Sequence, residues 1–145
     1  LRHRVLHKQA LRGKEFSVEN KIRTLREYVW TQIEDIDISQ YDEVIFLSKS
    51  IGTVEAGVLA DRLGASIKQV FLTPVKEAAP YIKEDSILVI GTRDKEYSFY
   101  KELCDAKKVT ALYIEGGDHL LEIQGKPFDS IKALEEIIRF VNDGI

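Results

Sequence analysis

The stretch Glu43-Val44-Ile45-Phe46-Leu47-Ser48-Lys49-Ser50-Ile51-Gly52-Thr53 constrains the fold more than any other part of the chain. An apolar run of strand type stops at Ser48, a small-x-Ser-x-Gly turn follows, and a helical pattern begins at once. A turn that tight pushes its central residue, Ser50, towards positive φ and asks for small neighbours two positions away, here Ser48 and Gly52. The apical hydroxyl then lies near a helix N-terminus, where free N–H groups and the helix dipole favour developing negative charge. The simpler reading of the same residues is an ordinary strand-to-helix turn in which Ser50 caps the helix.

The rest of the chain repeats the alternation. Residues 5–11 read as a short strand, and Ser17 as the N-cap of a helix with Val18, Ile22, Leu25, Val29 and Ile33 at helical spacing. Residues 44–47 are the buried strand before the turn, and the next helix runs from about Ile51 to Leu63, stopped by Gly64 at its C-terminus. Strands follow at residues 70–72, 87–90 and 109–114, with a short helical piece broken by Pro80 and a helix around residues 98–104 between them. The final helix starts near Asp129 or Ser130 and places Ile131, Leu134, Ile138 and Val141 on one face. Alternating strands and helices imply a mostly parallel central sheet between helical layers, an α/β class with three-layer α/β/α architecture. At 145 residues, with no linker or repeat, one domain over residues 1–145 is the expectation.

Composition removes several functions. A net charge of −3 gives no electrostatic reason to expect nucleic acid, and the basic cluster Arg2, His3, Arg4, His7, Lys8, Arg12 and Lys14 is a local exception. Cys104 is the one cysteine, so no internal disulfide forms, and no Cys/His spacing matches a zinc site. No apolar run reaches membrane-spanning length and no signal-peptide core opens the chain, so a cytoplasmic protein is expected. Nucleotide binding lacks both a Walker A sequence and a GxGxxG fingerprint.

In open α/β sheets, sites form beyond the carboxyl ends of the strands. Three of those ends carry reactive groups in chain order: Ser50, then Gly91-Thr92-Arg93-Asp94, then Glu115-Gly116-Gly117-Asp118-His119. A serine hydroxyl is a weak nucleophile that needs a base within hydrogen-bond reach. The imidazole in turn needs an acid to fix its tautomer and stabilise its cation. Asp118 competes with Asp94 for that last role, but adjacent side chains usually diverge, which favours Asp94.

Taken together these residues resemble the α/β-hydrolase superfamily over nearly the whole chain. Residues 5–17 look like the strand that ends in an Arg-Gly loop, Leu47-Ser48-Lys49-Ser50-Ile51-Gly52 like the nucleophile elbow with Ser48 in place of its first glycine, Leu88-Val89-Ile90-Gly91-Thr92-Arg93-Asp94 like the acid strand, and Tyr113-Ile114-Glu115-Gly116-Gly117-Asp118-His119 like the histidine loop. The resemblance implies Ser50 as nucleophile, Asp94 as acid, His119 as base and the N–H of Ile51 as one oxyanion donor. Tyr97 and Tyr100, close after the acid, are candidates to line an open site, with the core as their alternative place. In the family a further oxyanion donor comes from a loop upstream of the Arg-Gly strand, after a strand that lies between that one and the elbow strand. With Leu1 opening a sequence that holds no methionine, the expectation is a sheet lacking its N-terminal strands, or a first strand moved inward beside the elbow strand.

The function implied is a small, lid-less serine hydrolase that cleaves carboxylic esters or thioesters, with no cofactor and no metal. Its partner is a small-molecule ester, with no nucleic acid or membrane, and a homo-oligomer is left open. The alternative is a non-catalytic module of the same fold that binds a small ligand or a partner protein.

Overall fold

A computed structural model of the chain describes residues 18–64 and 66–145. The strand expected at residues 5–11 and the Ser17 cap lie outside the described residues. Helix α1 (Val18–Ile33) leads through a short 3-10 turn at Ile38–Gln40 into strand β1 (Ile45–Lys49). There follow α2 (Gly52–Leu63), β2 (Lys68–Leu72), a 3-10 segment at Lys76–Tyr81 containing Pro80, β3 (Ile87–Gly91), α3 (Tyr97–Lys107), β4 (Thr110–Ile114) and α4 (Pro127–Gly144). The four strands form one all-parallel sheet in the order β1-β2-β3-β4, with Leu47 beside Val70 and Val70 beside Ile87. Among the described residues β1 is an edge strand, and no helix is long and apolar enough to cross a membrane.

Strand alternation divides the core in two. Phe71, Leu88 and Ile90 point to one face and pack with Tyr100 and Cys104 of α3. Val89 and Ile114 point to the other and meet Ala133 and Ile137 of α4. β3 is buried along its whole length, as a central parallel strand covered on both faces must be. Each fully buried Phe, Leu or Ile stabilises the fold by roughly 1.5–3 kcal/mol relative to exposure. Helix α2 ends at Gly64 in the left-handed conformation at φ 63°, which satisfies the carbonyl of Ala60. It is clamped to α1 by the Arg26–Glu55 ion pair and by the Arg62 guanidinium 3.4 Å above the Trp30 ring.

Two expectations are corrected. On α4 the inward face is Ala133 and Ile137, flanked by Phe140 and Val141, which leaves Ile131, Leu134 and Ile138 at 62, 55 and 52% exposure. Both stripes have helical spacing and share Val141. Closeness of approach decides between them: Ala133 is small, and a Cβ on Gly144 would come within 2.6 Å of Ile87 Cδ1. At the turn after β1, small size at Gly52 is not enforced by contact, since a Cβ there would meet nothing within 4 Å among the described residues.

Candidate active site

Ser50 sits between β1 and α2 with φ 52°, a left-handed conformation that a non-glycine residue rarely takes. Its N–H donates to the Leu72 carbonyl at 3.0 Å, and its own carbonyl accepts from the Thr53 N–H at 3.1 Å and from the buried Thr53 hydroxyl. Ser48, at the small position before it, donates its hydroxyl to the Val70 carbonyl. The turn is therefore tied to β2 on one side and to the first turn of α2 on the other. Ile51 precedes α2 as its cap residue, so its N–H belongs to the group that has no intrahelical acceptor.

Ser50 Oγ lies 2.8 Å from His119 Nε2, and His119 Nδ1 lies 2.6 Å from Asp94 Oδ2. An ionised carboxylate can only accept, so Nδ1 carries the proton and the Nε2 lone pair faces the serine hydroxyl. The Asp94 side chain is fully buried, and its Oδ1 accepts the Glu96 N–H at 2.9 Å, which leaves Oδ2 free for the imidazole. The imidazole itself is 39% exposed, at the open carboxyl edge of the sheet.

The loop that carries His119 is docked directly onto the loop that carries Asp94. The Thr92 N–H donates to Ile114 O, the Arg93 N–H to Gly117 O, and the Gly116 N–H to Thr92 Oγ1 at 2.8 Å. Gly91 makes this approach feasible, because a Cβ there would stand 2.8 Å from the Asp118 carbonyl and closer still to that of Gly117. Asp118 turns away from the imidazole. Its Oδ1 accepts the N–H of Leu120 at 2.8 Å and of Glu122 at 3.1 Å.

Tyr100 does not line the site. It is fully buried in the core, and its hydroxyl donates to the Val75 carbonyl. Its i, i+4 relation to Cys104 on α3 puts both on the sheet-facing side, where burial of a large ring is most favourable. Tyr97 is half-buried against the same core, its ring edge-on to Tyr113 at 5.6 Å. Sequence reasoning missed the Gly91 docking and the contact from Lys49 Nζ to the Leu120 carbonyl at 3.2 Å, which joins the serine turn to the residue after His119. The paired glycines Gly116-Gly117 opposite Gly91 were the available signal for the docking. Among the described residues, no group of three or more His, Cys, Asp or Glu side chains is arranged to hold a metal ion.

No protein-family model matches the sequence, and no curated protein matches it. Among solved structures, an alpha-beta serine hydrolase homologue from Coxiella burnetii superposes with a TM-score of 0.52 at 13% identity. The match covers 88% of this chain and 61% of that one, so this chain spans less than two-thirds of its neighbour's length. At that identity the likeness concerns the backbone, and with the all-parallel sheet flanked by helices it leads to one statement: the chain has an α/β-hydrolase-like fold.

Proposed function

We propose that the chain is a serine hydrolase that cleaves small carboxylic esters or thioesters through an acyl-enzyme on Ser50. The observation that carries this reading is the continuous relay from Ser50 Oγ through His119 to the buried Asp94. His119 Nε2 takes the hydroxyl proton as Ser50 Oγ attacks the carbonyl carbon. The oxygen of the tetrahedral intermediate gathers negative charge beside the Ile51 N–H at the start of α2. His119 then gives its proton to the departing alcohol or thiol, leaving the acyl group on Ser50. Water reverses the sequence: it yields a proton to His119 as its oxygen attacks the acyl carbon, and His119 returns that proton to Ser50 Oγ as the acyl–serine bond breaks and the acid leaves.

Labelling with a fluorophosphonate tests the nucleophile without knowledge of the substrate. The expected result is one covalent adduct on Ser50, absent in Ser50→Ala, together with turnover of activated short-chain esters. Asp94→Asn should lower kcat by about 10⁴-fold through the wrong tautomer. No adduct on Ser50 and equal, negligible turnover in the wild type and Ser50→Ala would overturn the reading in favour of a non-catalytic binding module.

A further inference from the structure

We infer that Asp118 is a positioning residue for His119, fixing the loop that suspends the imidazole between Asp94 and Ser50. For activity this rests on the hydrolase reading; for the geometry of the ring it does not. His119 lies inside a loop closed on itself from one side. The Asp118 carboxylate accepts the N–H groups of Leu120 and Glu122, the Asp118 N–H donates to the Glu122 carbonyl at 3.0 Å, and the Leu121 N–H donates to the Asp118 carbonyl at 2.9 Å. Leu121 is thereby held at φ 65°, a conformation that a leucine does not adopt without such restraint.

On the preceding side the Gly116 and Gly117 backbone is pinned to Thr92 and Arg93. Without the Asp118 carboxylate the following side loses its two side-chain acceptor bonds. What remains there is the backbone pairing of Asp118 with Glu122 and Leu121, the packing of Leu121 and Ile123 against the core under α4, and the exposed lysine contact to Leu120. The two hydrogen bonds that His119 makes are short and point in opposite directions from one ring. Both therefore depend on where the loop backbone places its Cβ. The carboxylate that neighbours the histidine in sequence thus works through the backbone, while the distant Asp94 meets the ring.

The test compares Asp118→Ala with Asp118→Asn, whose amide oxygen offers the same two N–H groups a neutral acceptor. Ring ¹⁵N chemical shifts of His119, assigned with His119→Gln, report the tautomer whether or not the chain turns over substrate. The Nδ1–H form is expected to dominate in the wild type and in Asp118→Asn, and to give way to a mixture in Asp118→Ala. The fluorophosphonate labelling rate should fall by about a hundredfold in Asp118→Ala, the usual effect of displacing a catalytic group by an ångström. In Asp118→Asn it should stay within about tenfold, since a neutral acceptor makes bonds of roughly half the strength. If Asp118→Ala fails to fold, Asp118→Leu, close to aspartate in size and without an acceptor, carries the same comparison. An unchanged His119 tautomer in the folded Ala or Leu variant overturns the inference. A ring held as Nδ1–H in the wild type and released in Asp118→Ala, with Ser50 never labelled, supports the positioning role while counting against the hydrolase reading.

Discussion

Gly91→Ala offers the sharpest perturbation of the site from a residue that touches none of its reacting atoms. Gly91 takes no positive φ, so the substitution acts through contact rather than backbone strain. The new methyl carbon would stand 2.8 Å from the Asp118 carbonyl oxygen and nearer to that of Gly117. Those neighbours are backbone atoms of the histidine loop and cannot rotate away. Restoring ordinary contact at about 3.5 Å drives the loop off β3 by more than about 1 Å. Overpacking of this kind costs about 1–3 kcal/mol. Loss of the 2.9 Å bond from the Arg93 N–H to Gly117 O adds about 1 kcal/mol. The expected destabilisation is therefore about 2–4 kcal/mol, read as a lower urea midpoint at unchanged m. The displaced His119 should also slow fluorophosphonate labelling about a hundredfold, with its tautomer shifted as described for Asp118→Ala. A variant with the wild-type midpoint and tautomer would refute the claim that close docking of these two loops places the histidine.

Three further outcomes are expected. Gly52→Ala, with open space around its new Cβ among the described residues, should stabilise the fold by about 0.4–1 kcal/mol in urea titrations and leave labelling unimpaired; a destabilised variant would show that small size is required there after all. Arg26→Met strands the buried Glu55 carboxylate, and because Arg26 is itself half-exposed the loss should be about 2–4 kcal/mol, partly recovered by adding Glu55→Leu; equal losses in the single and double variants would refute this. Burial pushes the Cys104 thiol from 9.0 up to about 11 and the Tyr113 hydroxyl from 10.0 up to about 12, so between about pH 9 and 12 the unfolded chain loses protons that the folded chain keeps. Stability must fall with rising pH across that window, less steeply in Cys104→Val, and flat urea midpoints from pH 8 to 11 would contradict it.

The parallel α/β framework was legible because each strand is a short apolar run and each helix has its own start and stop residues. β3 and α2 match their expected spans to within a residue for that reason. What the pattern could not resolve was depth of packing. Ile131, Leu134 and Ile138 form a better apolar stripe than Ala133 and Ile137, yet small side chains win where a helix must lie close to a sheet. Tyr97 and Tyr100 show the same limit from the other side, since an aromatic on a short helix serves a core as readily as a binding surface. At the site, strand-end logic favoured Asp94 over Asp118 as the carboxylate facing His119, and the geometry has Asp94 there. It carried no information on what Asp118 does instead, because that role lies in backbone N–H groups that every residue possesses.

The strand order also sets a timetable for assembling the relay. Asp94 and His119 are 25 residues apart and follow the two strands of a single β3-α3-β4 unit, whereas Ser50 and His119 are 69 apart. Closing the longer loop costs more chain entropy, and its contact exists only once all four strands, β1 to β4, are paired. Refolding should thus form the carboxylate–imidazole pair first and bring the serine to it last. A covalent probe of Ser50, added during refolding, would time the final docking step of the sheet.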